Sequence, residues 1–122
     1  MSKPREITID EVKYVRADNV PQLSDPINGL QYVIVRSRDA GCHAGYLKKE
    51  NETSVELVNS RRMWFWSGAL TLSELAMNGV ENPDKCKFGC VLPNIKIYNQ
   101  CEVIPTSNKG YKSIQEVKEW KK

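Results

Sequence analysis

The sequence predicts a mainly β fold of the α+β kind, a compact curved sheet or small barrel with one inserted helix and a short helix at the C-terminus. Three observations predict it. From Leu30 onward apolar residues recur with period two. Turn-forming residues interrupt that alternation at short intervals. Helix-start signals occur at only two places, Thr71 and Ser113.

Each element has its own justification. Gln31 to Arg38 alternates Tyr32, Ile34 and Arg36 against Val33, Val35 and Ser37, a strand covered on both faces. Asp39, Ala40 and Gly41 make a turn into a second strand, Cys42 to Lys49, in which Gly45 marks a place of close approach. Glu50 to Thr53 closes a hairpin onto a third strand, Val55 to Trp66, long enough to bend and serve two edges. Thr71 and Glu74 form a capping box, Leu70 and Leu75 stand at the positions of a hydrophobic staple, and Asn78 with Gly79 stops the helix. Phe88 to Leu92, Ile95 to Tyr98 and Cys101 to Ile104 read as short strands broken at Pro93 and at Asn99. Ser113 and Glu116 repeat the capping pattern, and Ile114, Val117 and Trp120 at helical spacing predict a terminal helix anchored by its Trp.

Residues 1–29 differ in pattern from the rest of the chain. Breakers at Pro21, Pro26 and Gly29 mark an N-terminal arm and linker, and residues 30–122 form the β-rich domain. Arms of this kind pack on a neighbouring subunit or dock loosely on their own. At 122 residues the chain is one domain, and such a domain buries roughly two-thirds of the surface its unfolded chain exposes.

Composition excludes several functions. Hydrophobic residues make up 40% and charged residues 27%, and no apolar run reaches the roughly 20 residues of a membrane span. No apolar stretch follows the first six residues, so no secretory signal is expected and the chain is read as cytoplasmic. A net charge of +3 is too mild for a duplex nucleic-acid binder that works by counterion release. Cys42, Cys86, Cys90 and Cys101 contain no Cys-x-x-Cys pair and read as reduced thiols. A zinc set of Cys42, His43, Cys86 and Cys90 can be drawn, but its spacing is poor, and neither metal nor cofactor is expected.

The residues with chemistry cluster between Arg61 and Trp66. On a regular strand Arg62, Trp64 and Trp66 share one face and Arg61, Met63 and Phe65 the other. If Met63 and Phe65 fill the core, the two indoles with Arg62 make a platform for a planar anion, because a base stacks on an aromatic and a guanidinium grips phosphate. The competing reading has the Trp pair plugging the core and both arginines meeting surface carboxylates. His43, the single histidine, is a donor to a ligand or a structural residue, with Asp39 four residues away as its possible partner. No Gly-rich phosphate loop, paired-carboxylate motif or nucleophile motif is present, so an enzyme is not expected.

The succession Val33 to Ser37, Ala40 to Leu47, Asn59 to Ala69, Leu72 to Gly79, Cys86 to Phe88 and Glu102 to Pro105 resembles a family of small phage- and prophage-encoded proteins known as a domain of unknown function. The resemblance runs from about Tyr32 to Trp120, and Arg-Arg-x-Trp-x-Trp-x-Gly-Ala is its most specific part. It implies a phage protein made in the host cytoplasm and, by analogy, one that counters host defence. The expected function is sequestration, without hydrolysis, of a small nucleotide immune signal of the cyclic oligonucleotide or cyclic ADP-ribose type by a homo-oligomer. Arg36, His43, Arg61, Arg62, Trp64 and Trp66 are the expected ligand-binding residues. The alternatives are a direct protein inhibitor of a host defence complex and a small module for single-stranded nucleic acid.

Overall fold

The computed structural model describes residues 6–9, 12–15 and 23–121. Strands β1 (Glu6–Ile9) and β2 (Val12–Val15) pair with each other antiparallel, and the rest of residues 1–22 lies outside the described residues, as does much of the expected arm. Six further strands form one antiparallel sheet: β3 (Tyr32–Ser37), β4 (Gly41–Glu50), β5 (Ser54–Phe65), β6 (Lys87–Phe88), β7 (Leu92–Tyr98) and β8 (Gln100–Pro105). The order is β6-β5-β4-β3-β8, with β7 also pairing along β5.

The connection between β7 and β8 sets the shape of this sheet. The two strands lie at opposite edges, yet only Asn99 separates them, in a left-handed conformation at φ 59°. The Asn99 amide donates to Thr53 O at 2.8 Å, and the Ser37 hydroxyl donates to Tyr98 O at 2.8 Å. The sheet must therefore curl until its edges meet at this end. It does not close into a barrel, because β7 is bonded to β5 and β8 to β3 and neither to the other. Inside the curl Val33, Val35, Val55, Leu57 and Ile97 form one apolar cluster.

Strand β5 changes face halfway. Val55 and Leu57 belong to the inner cluster, whereas Met63, also at an odd position, belongs to the cluster on the opposite face with Tyr32, Ile34 and Ala44. The cause is a bulge: Ala44 opposes Arg61 but Tyr46 opposes Val58, and Asn59 takes φ 49° to absorb the extra residue. Gly45 is required opposite this bulge, since a Cβ there would lie 2.7 Å from Ser60 Cβ. The close approach expected at Gly45 is thus made by the protein's own backbone. Pro93 does not break β7, contrary to the sequence expectation; it sits on an edge strand opposite the bulge, where no ladder donor is needed.

Two helices cover the outer face. Helix α1 (Leu72–Asn78) is capped as expected, with the Glu74 amide donating to Thr71 Oγ1 at 3.1 Å and the Glu74 carboxylate accepting from the Leu70 amide at 3.0 Å. The staple is not formed, because Leu75 is buried while Leu70 is 92% exposed. Helix α2 (Asn108–Glu116) begins earlier than its sequence signal, capped by Ser107, whose hydroxyl accepts from the Gly110 amide at 3.0 Å. Ser113 instead accepts from the Val80 amide at 2.9 Å and ties the helices together. At Val117 the backbone leaves the helix, so Trp120 lies in an extended tail whose amide donates to Phe88 O at 2.9 Å. Tyr111 of α2 packs edge-on against Tyr32 and bonds Tyr46 through their hydroxyls at 2.5 Å.

The helices approach closely because residue 110 is Gly. A Cβ there would collide with the Ala76 carbonyl. Gly110→Ala should cost about 1–3 kcal/mol, since the backbone must move to admit the methyl group. An unchanged urea midpoint would show that the helix pair yields without cost.

Candidate functional site

The bulge decides which arginine faces inward. Arg61 is 4% exposed and lies on the helix side of the sheet. Its Nε donates to Gly89 O at 3.1 Å, and its Nη1 donates to Ile114 O at 2.9 Å and to Val117 O at 2.6 Å. The guanidinium carbon stands 5.3 Å from the centre of the Phe88 ring. Burial pushes its pKa down, and no carboxylate forms an ion pair with it among the described residues. Arg61 is therefore spent on protein carbonyls, where it joins the end of α2 to the loop after β6.

His43 is also internal. It is 1% exposed, and its Nε2 donates to Ala40 O at 2.8 Å, which sets the Nε2–H tautomer. Burial lowers its pKa, and the charge of Arg62, its cross-strand neighbour, lowers it further. Asp39 is not its partner; that carboxylate accepts from the Asn99 side chain at 3.0 Å. Arg36 pairs across strands with Glu102, Nε to Oε1 at 2.7 Å, and stands level with Met63 two strands away, on the face of the sheet opposite Trp64. The six residues expected to bind a ligand do not converge on one pocket.

Arg62 and Trp64 remain at the surface, on the face opposite Arg61 and Met63. Trp64 is 56% exposed, whereas Trp66 is half-buried against the outer core, so the two indoles divide between the platform and core readings. The register shift between Met63 and Phe65 turns Phe65 outward. A third indole completes the surface: Trp120, 41% exposed, meets Trp64 edge-on at 6.1 Å and 65°, with Lys87 Nζ 5.1 Å from its ring centre. Local sequence patterns assign Trp120 to a helix and give Lys87 no part in the platform. Their meeting depends on the tail pairing parallel beside β6, with Glu119 opposite Phe88, for which the chain carries no local signal.

Trp120 also lines an open hollow of about 320 Å³ together with Asp84, Lys118 and Lys121. A neighbouring cleft of about 440 Å³, lined among others by Lys109, Lys112 and Glu116, shares Pro83, Asp84 and Lys118 with it. Among the described residues no three His, Cys, Asp or Glu side chains group as a metal site, and no helix is long and apolar enough to cross a membrane.

Fold and surface together define a small, mainly β protein, an open curled sheet backed by two helices, with aromatic and basic side chains gathered at one end. The chain belongs to the family described as domain of unknown function DUF6948, which matches residues 30–114. No curated protein and no solved structure matches it.

The two adjacent arginines should separate sharply by mutation. Arg61→Met orphans three carbonyls and should cost about 3 kcal/mol, whereas exposed Arg62→Ala should stay within about 0.5 kcal/mol. Equal urea midpoints for the two variants would contradict the inward clamp. His43 has a second signature. Its folded pKa lies below its ordinary value of about 6.5, so the unfolded chain takes up a proton first and stability falls as pH drops through that value. His43→Gln should flatten this part of the stability profile above about pH 5, and a wild-type profile already flat there would remove the effect.

Proposed function

We propose that this protein is a binding module that holds a small nucleotide at the Trp64–Trp120 surface and sequesters it without turnover. The observation that supports this reading is the half-exposed indole pair with Lys87 over one ring and Arg62 on the same strand as the other. An exposed indole offers a stacking face to a base, contributing about 1–3 kcal/mol, and the cations answer a phosphate. In this reading the ligand is a host immune signal and the protein works in the host cytoplasm, as the resemblance to phage proteins suggests, where sequestration needs affinity and no catalytic group. Arg61 and His43 act in this reading by shaping the surface and not by touching the ligand.

A second reading has its own support. Phe65, Val91 and Leu92 are 50%, 54% and 42% exposed, large apolar side chains at the surface of the kind that mark protein contacts. A second copy of the chain, or a host defence protein, would cover them.

A thermal-shift and Trp-emission screen against cyclic dinucleotides, cyclic trinucleotides, cyclic ADP-ribose isomers and linear nucleotides tests the first reading. A ligand at 100 times its Kd should add about 2.7 kcal/mol to stability, and Trp64→Ala should weaken its binding about tenfold. Absence of any shift or quenching across the whole set would reject nucleotide binding and favour the protein-contact reading.

A further inference from the structure

We propose that the ligand is a nucleotide chain, cyclic or linear, bound through one nucleotide that carries a phosphate on both its 5′ and its 3′ side; this rests on the nucleotide-binding reading above. The base lies on Trp64, and the two phosphates meet Arg62 and Lys87. Strand register sets the three residues in order. Arg62 and Trp64 are two residues apart on β5, on one face of the strand and about 6.6 Å from each other along it. Lys87 lies across from Phe65, one residue beyond Trp64 on the neighbouring strand. The indole therefore stands between two cations along the strand and not beside one.

The fold holds this arrangement from below and from the side. The six-membered ring of Trp64 rests against Gly89, where a Cβ would lie 3.4 Å from Cη2 and Cζ3, while the residue as a whole is 56% exposed. Trp120 reaches it because the tail pairs parallel beside β6, with Glu119 opposite Phe88. That second indole also locates a charge: Lys87 Nζ lies 5.1 Å from the Trp120 ring centre, which is 6.1 Å from the centre of Trp64. A cation resting on an aromatic face keeps its charge for a phosphate. Glu119, the carboxylate of the tail, is 3.4 Å from Lys121 Nζ, and among the described residues neither Arg62 nor Lys87 forms an ion pair.

Nucleotide chemistry decides what fits. A terminal diphosphate puts both anionic groups on the 5′ side of its sugar, so it serves one cation and leaves the other without a partner. A monophosphate does the same with less charge. Within a chain each sugar carries phosphodiesters at both hydroxyls, so anionic groups flank every base, and basic side chains beside a stacking ring are the recurring means of holding such a strand. Cyclic dinucleotides share this pattern with linear oligonucleotides. Stacking accepts any base, so the selectivity lies in the placement of the phosphates.

Titration of the purified protein at one ionic strength, read by Trp emission, tests the assignment with a nucleoside, its 5′-diphosphate and its 3′,5′-bisphosphate, in adenine, guanine and uracil series. The 3′,5′-bisphosphate should bind about tenfold more tightly than the 5′-diphosphate of the same base. Arg62→Ala and Lys87→Ala should each erase that margin and spare the nucleoside. Both sites are exposed, so an unchanged thermal midpoint verifies the fold of each variant. A cyclic dinucleotide and linear oligonucleotides of the same bases separate the two sources: tighter binding of the cycle assigns a cyclic signal, and affinity that rises with linear length assigns a single strand. A bisphosphate no tighter than the diphosphate in every series would overturn the two-sided clamp while nucleotide binding stands. A margin that survives both substitutions would overturn the roles of Arg62 and Lys87. Failure of every compound overturns the inference, and only failure of the wider nucleotide screen as well removes the reading beneath it.

Discussion

A buried guanidinium that pairs with no carboxylate among the described residues holds the outer layer of this protein together. Arg61 gives its protons to the carbonyls of Gly89, Ile114 and Val117 and lies over Phe88. Carbonyls at the end of a helix carry partial negative charge, so the last turn of α2 supplies part of the compensation that an acidic partner would otherwise provide. Because that turn is pinned at Val117, the chain leaves the helix and runs parallel beside β6, where the Trp120 amide meets Phe88 O. The contact between Trp120 and Trp64 follows from this pairing.

Arg61 reaches the helices only because β5 carries an extra residue. Without the bulge at Asn59, strict alternation would set residue 61 on the same face as Val55 and Leu57, inside the curl. The same shift places Arg62 across from His43 and directs Trp64 away from the helices. One residue in a left-handed conformation thus assigns the roles of the two arginines. The curl depends on another, Asn99, which joins the two edges of the sheet through a single residue.

Much of the local structure was legible in the chain. Alternation located β3, β4 and β5, and the capping box at Thr71 located α1 to within a residue. Elements whose limits depend on distant contacts were less so. Helix α2 starts at Ser107 because the Ser107 hydroxyl and amide meet carbonyls at the end of α1, while the local pattern at Ser113 is diverted to the Val80 amide. Leu70 matches a staple in spacing yet stands in solvent while Leu75 is buried. The candidate surface was legible in half: Arg62 and Trp64 could be named from the strand, whereas Trp120 and Lys87 come from two separate segments.

The sequence by itself determined the mainly β class, the strands β3, β4 and β5, the first helix and the concentration of aromatic and basic residues near the end of β5. Those properties rest on near-neighbour physics, in which alternation, capping and turn chemistry operate within a few residues. Tertiary structure alone decided that Arg61 faces inward, that His43 is spent on Ala40, that Trp66 joins the core and that Trp120 joins Trp64. Each of those outcomes turns on which face a bulged strand presents and where a tail pairs with the edge of the sheet. Both are settled by the packing of segments far apart in the chain, where burial and hydrogen bonding across the core outweigh any local preference.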